Sequence, residues 1–206
     1  MSARAAILSR LAAAQRTARL PASPAAGPIV TPSHGAEECL ERFGSELAAL
    51  GVDCHVEATP ARVRECVGAL VAGKRVLAWD ARRLPYAVDA VLSDAVRGGS
   101  PREEQARAEI GVTGCDGAIA ETGSLVLLSG RGRSRAVSLL PPVHLALVRP
   151  EDLYFSMGEF FARADGRLGE EACCTFVTGP SRTADIELTL TLGVHGPGKV
   201  IVVVGP

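Results

Sequence analysis

Residues 52–79 alternate between strand, helix and strand, and no other feature of the sequence restricts the fold as strongly. Polar and apolar residues alternate over 52–57, which is typical of a β-strand. Thr59 and Pro60 form a helix-start signal, with Thr59 as the N-cap and Pro60 at the first helical position. The helix is predicted to run to residue 72, and residues 75–79 form a short buried strand. Two strands joined by a helix at this spacing predict a parallel sheet covered by helices, and therefore an α/β fold.

The rest of the chain supplies further elements of both kinds. Helices are predicted over residues 36–50, 84–96, 103–109 and 152–164. Strands are predicted over residues 125–129, 136–140, 144–148, 172–178 and 199–204, with 172–178 fully buried. Residues 184–192 are ambiguous, because their apolar residues alternate like a strand while the Ser and Thr before them favour a helix. We favour the helix.

The first 33 residues differ from the remainder. They begin with an exposed amphipathic helix whose apolar stripe is formed by Ile7, Leu8 and Leu11, among four arginines. Four prolines between residues 20 and 33 then favour an extended linker. The predicted division is a helix and proline-rich linker at 1–33 and a compact domain at 34–206. The start resembles neither a signal peptide nor a membrane span, and a transit peptide is the weaker alternative. We therefore expect a cytoplasmic protein.

Composition excludes several classes of function. The 206 residues carry 22 basic and 23 acidic side chains, so a globally basic nucleic-acid-binding protein is excluded. Hydrophobic residues make up 47% of the chain and aromatic residues only 4%, which predicts an aliphatic core. None of the six cysteines forms a C-x-x-C pair. Buried, reduced thiols are therefore expected, without a metal or cluster site in this chain.

The first candidate site follows the strand predicted at 172–178. Gly179 and Pro180 turn the chain, and Ser181, Arg182 and Thr183 then present two hydroxyls, a guanidinium and free amide hydrogens. This set is suited to a carboxylate or phosphate, and ligands of parallel sheets collect where strands end. The alternative is structural: Ser181 or Thr183 caps a helix, and Arg182 pairs with a nearby acid.

A second candidate site is the turn before the strand at 125–129, formed by Glu121, Thr122, Gly123 and Ser124. Glu121 is predicted to contact ligand hydroxyls or to act in acid–base or nucleophilic chemistry. In the alternative interpretation, Glu121 caps a neighbouring backbone group.

Two histidines complete the predicted anion site. His144 follows Ser138 and a pair of prolines at the start of a strand, and is either an anion ligand or a structural residue. His195 is followed by Gly196, where the backbone can approach a ligand closely. The arginines at 131, 133 and 135 are interpreted as a solvated hairpin tip.

Five ordered blocks of the sequence resemble one family. They are Gly111-Val-Thr-Gly114, Ala118-Ile-Ala-Glu-Thr-Gly-Ser124, Ser138-Leu-Leu-Pro-Pro-Val-His144, Gly179-Pro-Ser-Arg-Thr-Ala-Asp-Ile-Glu187 and Gly193-Val-His-Gly-Pro197. Together they look like the signature of the LUD domain, densest from residue 110 onwards. The resemblance implies a three-layer Rossmann-like sandwich of the NagB/RpiA/CoA transferase-like superfamily, which groups glucosamine-6-phosphate deaminase, ribose-5-phosphate isomerase and coenzyme A transferases.

The same resemblance implies a part in oxidising L-lactate to pyruvate, beside two iron–sulfur subunits. Because the cysteine-rich cluster motifs of such subunits are missing here, iron–sulfur clusters are expected only in the partners. The chain is then an accessory or substrate-handling subunit that binds a small anion. Two alternatives stay open: a non-catalytic scaffold module, and a stand-alone transferase or isomerase acting on sugar phosphate or acyl-CoA.

Overall fold

A computed structural model describes residues 2–19, 34–164, 167–183 and 191–206. The helices are α1 (Ala3–Thr17), α2 (Ala36–Leu50), α3 (Pro60–Val71), α4 (Arg102–Gln105), α5 (Ala136–Leu139), α6 (Met157–Arg163) and α7 (Arg167–Glu170). The strands are β1 (Asp53–Val56), β2 (Val76–Ala78), β3 (Val96–Arg97), β4 (Ile110–Thr113), β5 (Gly117–Ile119), β6 (Ser124–Leu128), β7 (Val143–Val148), β8 (Leu153–Tyr154), β9 (Cys174–Val177), β10 (Arg182–Thr183), β11 (Thr191–Leu192) and β12 (Lys199–Val204). Helix α1 belongs to a compact unit of its own, and all other elements form a second unit.

Six parallel strands form the centre of the second unit, in the order β1-β12-β7-β4-β2-β3. Alternate side chains of β7 and β12 point to opposite faces, since successive residues of a strand do so. Leu145 and Ile201 pack with α3, whereas Ala146 and Val202 pack with α2. The sheet is therefore covered on both faces, and the predicted α/β fold is confirmed.

A second sheet, in the order β8-β5-β6-β9, packs on the face that α2 covers. Ala118 and Leu125 of this sheet join the core around α2. Ile119 and Val126 point the other way and pack with Phe160 of α6. Because β9 is an edge strand, residues 174–177 are only partly buried, and the prediction of a fully buried strand there is wrong.

Three predicted elements differ from the structure because tertiary contacts override local pattern. Residues 136–140 were expected to form a strand and instead contain the helix α5. Residues 84–96 form no long helix, because Tyr86 and Ala87 have positive φ angles and only a 3-10 turn, Val88–Val91, follows. The helix expected at 152–164 begins at Met157, since residues 153–154 pair with β5 instead.

Helix α1 has no buried residue within its own unit. Its apolar stripe is open to solvent, with Ile7 59%, Leu8 54% and Leu11 55% exposed. Among the described residues, no helix has the length and apolar character needed to cross a bilayer. The ambiguous prediction for residues 184–192 lies mostly outside the described residues; the last two of them form β11, which pairs with β10.

Candidate functional site

The parallel sheet presents two edges with different chemistry. The carboxyl edge is formed by the residues that follow the six strands β1, β2, β3, β4, β7 and β12, and the amino edge by the residues that precede these strands. Sheets of this kind bind ligands in crevices outside the carboxyl ends of their strands. The position of each predicted site residue relative to these edges therefore matters.

The predicted anion cradle lies at the amino edge. The amide of Ser181 donates to the carbonyl of Pro197 at 2.9 Å, and the amide of Gly193 donates to the carbonyl of Ser181 at 2.9 Å. Gly196 lies against Ser181, and His195 beside it is exposed. The loop 193–198 then leads into the amino end of β12. The structure thus brings together the 179–183 and 193–198 segments, which are far apart in the sequence.

The expectation that this cradle follows a strand of the parallel sheet is wrong. The strand before Gly179 is β9, which belongs to the second sheet and pairs antiparallel with β6. The end of β9 is therefore not one of the carboxyl ends at which ligands of a parallel sheet collect. The sequence pattern of a strand does not indicate which sheet the strand joins.

The end of helix α2 gathers several predicted residues. Gly123 and Gly179 have φ angles of 64° and 77°, and a Cβ at either position would approach Leu50 to 3.0 and 3.2 Å. Arg182 Nη2 donates to the carbonyl of Leu50 at 2.6 Å. A last-turn carbonyl of α2 is thereby capped, as cations commonly do at helix C-termini. Arg182 already has this structural partner, and its role toward an anion stays a prediction.

The turn at 121–124 is also joined to neighbouring structure. The hydroxyl oxygen of Ser124 lies 2.8 Å from that of Thr122 and 2.7 Å from that of Thr178. Glu121 Oε1 accepts from the amide of Met157, the first residue of α6, at 3.2 Å. The alternative interpretation, in which Glu121 caps a backbone group, is confirmed.

Glu121 borders a concavity whose other polar residues disfavour an anion. Glu38, Glu41, Arg42 and Phe155 line it with Glu121, so three carboxylates face one guanidinium. A negatively charged ligand would be repelled by that excess. A catalytic role of Glu121 stays a prediction.

Ser138 and His144 lie in the interior. Ser138 is buried and its hydroxyl donates to the carbonyl of Arg135 at 3.2 Å. His144 is fully buried on the face of β7 that is covered by the second sheet, and its Nε2 lies 2.9 Å from Thr113 Oγ1. Its Nδ1 has no hydrogen-bond partner in the described part of the chain. These surroundings fit the structural alternative for His144.

Because His144 is buried, we expect the stability of the protein to depend on pH. Burial lowers the pKa of the His144 imidazole from 6.5 to about 4, because the interior disfavours the charged form. Between those pH values the unfolded chain binds a proton that the folded protein does not. We expect stability to be full above pH 6.5 and to fall as the pH drops toward 4, by up to about 1.4 kcal/mol per pH unit.

Chemical denaturation at several pH values tests this expectation. The variant His144→Gln should show a flatter dependence over this window than the wild type. An unchanged slope in His144→Gln would contradict the assignment.

The carboxyl edge carries a cavity that sequence reasoning missed. The arginine cavity, as we name it, has a volume of about 260 Å³ and opens between the segments that follow β2, β4 and β7. Its polar lining consists chiefly of Arg82, Arg83, Arg133, Arg149, Cys115 and Asp116. Four arginines thus line the cavity beside one carboxylate, but acidic residues pair with Arg133 and Arg149, so Arg82 and Arg83 are the source of its positive charge.

Two of the four arginines are held by carboxylates. Arg133, only 11% exposed, pairs with Asp116 at 2.5 Å and with Glu171. Arg149 Nε donates to Asp152 Oδ2 at 2.6 Å. The interpretation of residue 133 as part of a solvated tip is wrong, because its partners lie 17 and 38 positions away in the sequence and no local pattern indicates them.

The other two arginines are exposed and available. Arg82 and Arg83 follow β2 in a 3-10 turn, and neither forms an ion pair with another described residue. A guanidinium matches the planar, bidentate geometry of a carboxylate or the oxygens of a phosphate, so either residue can bind such a group.

A strained segment holds the wall of the arginine cavity in place. Tyr86 and Ala87, directly after the wall residues, have φ angles of 61° and 51°, which side-chain-bearing residues rarely adopt. The Tyr86 hydroxyl donates to the carbonyl of Val148 at 2.9 Å, and its ring fills the space where a Cβ on Gly205 would lie. Arg64 Nη1 also donates to the Tyr86 carbonyl at 3.1 Å. Such strain persists only where surrounding contacts enforce it, and it is common at functional sites.

Cys115 in the arginine cavity is not an activated nucleophile. Burial raises the pKa of its thiol to about 12, and the Sγ atom donates to the carbonyl of Gly117 at 2.5 Å. A protonated thiol reacts poorly, because the thiolate is the nucleophile. Within the ranges that the structure describes, no three His, Cys, Asp or Glu side chains converge as a metal site.

Known proteins similar to this chain give its family. The model of the LUD domain matches residues 40–204. Lactate utilization protein C of a Geobacillus species is 31% identical over 189 residues, covering 82% of this chain and 78% of that protein. The protein of the same name from Macrococcus caseolyticus is 30% identical over 181 residues, again covering 82% of this chain and 78% of that protein. The crystal structure of a DUF162 family protein from Deinococcus radiodurans superposes with a TM-score of 0.69 at 26% identity, covering 84% of this chain and all (100%) of that chain. The chain belongs to the LUD domain family.

Proposed function

We propose that this chain acts in lactate utilisation and binds a small carboxylate or phosphate in the arginine cavity. Its relatives named lactate utilization protein C support the first part. The observation that carries the second part is that Arg82 and Arg83, at the carboxyl edge of a parallel sheet, have no ion-pair partner among the described residues. Lactate and pyruvate are carboxylates, and a guanidinium binds such a group with two parallel hydrogen bonds.

The finer role that we propose is an accessory or substrate-handling subunit of an L-lactate oxidation system in the cytoplasm. Oxidation of lactate to pyruvate releases two electrons and two protons. In this proposal the electrons pass to partner iron–sulfur subunits, and this chain holds the anion. Arg133 and Arg149 form the wall beside Arg82 and Arg83, and their carboxylate partners keep them in position.

A scaffold role is the second candidate, and helix α1 favours it. Its exposed Ile7, Leu8 and Leu11 offer an apolar stripe to a partner, and Arg4, Arg10 and Arg16 add positive charge. In that case the chain would assemble the iron–sulfur subunits without handling substrate.

Growth on L-lactate separates the two candidates. A strain lacking only this chain is complemented with the wild type, with Arg82→Ala/Arg83→Ala, and with a chain lacking residues 1–33. We expect the double variant to lose growth on lactate, and calorimetry to show at least a tenfold loss of affinity for L-lactate or inorganic phosphate. Arg102→Ala, an exposed arginine of α4, serves as the control and should behave as the wild type.

The other possible outcomes of this experiment each support a different conclusion. Wild-type growth and binding by the double variant would overturn the arginine cavity as the site. If only the shortened chain fails, and fails to capture the iron–sulfur subunits, the scaffold role is supported. Arg182→Ala and His195→Ala in the same strain test the amino-edge residues, and Glu121→Gln tests the turn at 121–124; a loss confined to one of these places would move the site there.

A further inference from the structure

A second cavity adjoins the arginine cavity at the carboxyl edge. The glycine cavity, as we name it, has a volume of about 300 Å³. It is lined by Asp80, Gly98, Gly99, Gly130, Gly132 and Ser134. Because four of these residues lack side chains, the backbone itself forms most of the wall.

Side chains are excluded from this wall by close contacts. A Cβ on Gly98 would lie 2.2 Å from Ser134 Cβ, and a Cβ on Gly132 would lie 2.8 Å from Asp80 Oδ2. Gly132 also has a φ angle of 79°, which favours glycine. Side chains at these positions would displace the wall and cover its backbone groups.

The glycine cavity offers both hydrogen-bond donors and an acceptor. In the part of the chain that the structure describes, no group accepts from the amides of Gly99, Gly132 and Ser134. The exposed Asp80 carboxylate likewise has no hydrogen-bond or ion-pair partner there. A lone anion would be repelled by Asp80, and a cation would meet amide hydrogens. A hydroxyl group suits the site, because it donates to a carboxylate and accepts from an amide.

One short segment joins the two cavities. Residues 130–134 are fastened to the end of β2, since the amide of Asp80 donates to the carbonyl of Gly132 at 3.0 Å and Trp79 Nε1 donates to the carbonyl of Ser134 at 3.2 Å. Arg133 of this segment lines the arginine cavity, whereas Gly132 and Ser134 on either side line the glycine cavity. A ligand with an anionic end and hydroxyl groups can therefore use both.

We propose that the ligand is a hydroxylated anion, a hydroxy acid or a sugar phosphate. Its charged group lies in the arginine cavity, and Asp80 and the glycine amides bind its hydroxyls. This inference rests on the proposed function, because it assumes that the arginines bind the anionic group. Asp80 is the residue that determines specificity for hydroxyl groups.

Calorimetry with matched probes tests the proposal. The first pair is D-gluconate and hexanoate, and the second is glucose 6-phosphate and inorganic phosphate; each pair differs in hydroxyl groups, and the two pairs separate a carboxylate from a phosphate ligand. For at least one pair, the wild type should bind the hydroxylated member at least tenfold more tightly. Asp80→Asn should lower that ratio without weakening the plain anion, because a neutral amide oxygen accepts more weakly than a carboxylate, and Asp89→Asn, another exposed aspartate, should leave it unchanged. Melting temperatures confirm that the variants fold.

A failure of the hydroxyl site and a failure of the anion site would give different results. Equal affinities within both pairs for the wild type, or an unchanged ratio in Asp80→Asn, would overturn the hydroxyl site and leave the anion site standing. Binding that Arg82→Ala/Arg83→Ala does not weaken, or no binding of any probe, would overturn the anion site and this inference together.

Discussion

Replacement of Gly111 by alanine should lower the free energy of unfolding by more than about 3 kcal/mol, because it forces an atom into occupied space. Gly111 lies in β4, and a Cβ there would be 1.9 Å from the carbonyl oxygen of Val137 and 3.2 Å from Pro141 Cγ. The obstacle is backbone of α5, which cannot rotate away as a side chain could. Either α5 leaves the sheet or the strand distorts. Urea denaturation followed by circular dichroism measures the change.

The matched control is Gly44→Ala in helix α2. Nothing lies within 4 Å of a Cβ at Gly44, so the substitution adds no clash. Alanine is about 1 kcal/mol better than glycine inside a helix, so this variant should be slightly more stable than the wild type. If Gly111→Ala were as stable as Gly44→Ala, the close packing of α5 on β4 would be refuted.

Arg133→Met should cost about 3–5 kcal/mol of stability, as expected when one member of a buried ion pair is removed. The guanidinium of Arg133 bridges Asp116 and Glu171, whose side chains are 10% and 20% exposed. Asp116 also accepts from the amide of Leu128 at 2.8 Å, so the carboxylate is held in the interior when the cation is gone. The same denaturation experiment measures the loss.

Two further variants separate the effect of losing the ion pairs from the effect of changing the side-chain volume. Arg131→Met, in the exposed part of the same turn, should change stability by no more than about 0.5 kcal/mol. Adding Asp116→Asn and Glu171→Gln to Arg133→Met should recover part of the loss, because the two carboxylates that have lost the Arg133 guanidinium are replaced by neutral amides. A loss that stays the same in this triple variant would attribute the effect to packing instead of charge.

The main elements of the fold were predictable because their signals are local. Thr59 caps α3 with its own side chain, which accepts from the amide of Arg62 at 3.2 Å, and Pro60 occupies the first turn as its fixed φ requires. In α2, Cys39, Phe43 and Leu47 recur at helical spacing and are the residues that are buried. Gly51 ends α2 in the left-handed conformation, with φ 75°.

The errors all arose where a distant contact decided the outcome. The short apolar segment 136–140 fits either a strand or a helix, and the space that Gly111 leaves permits the helix α5. The pairing of residues 153–154 with β5 replaces the first turn of an expected helix. The positions of Arg82 and Arg83 at a cavity depend on Tyr86 and Gly205, which are 119 positions apart by their numbering in the chain.

For the candidate site, too, some features were predictable from local sequence signals and others depended on distant contacts. The sequence indicated the LUD domain family and grouped the residues around Ser181 and His195, which the structure does bring together. It could not indicate that β9 joins a separate sheet, nor that Arg133 is buried against Asp116. Periodicity and capping involve residues only a few positions apart, so they can be recognised from the sequence alone. The sheet that a strand joins, the edge at which a loop lies and the partner of a buried charge depend on contacts between residues far apart in sequence, and only the packed tertiary structure decides them.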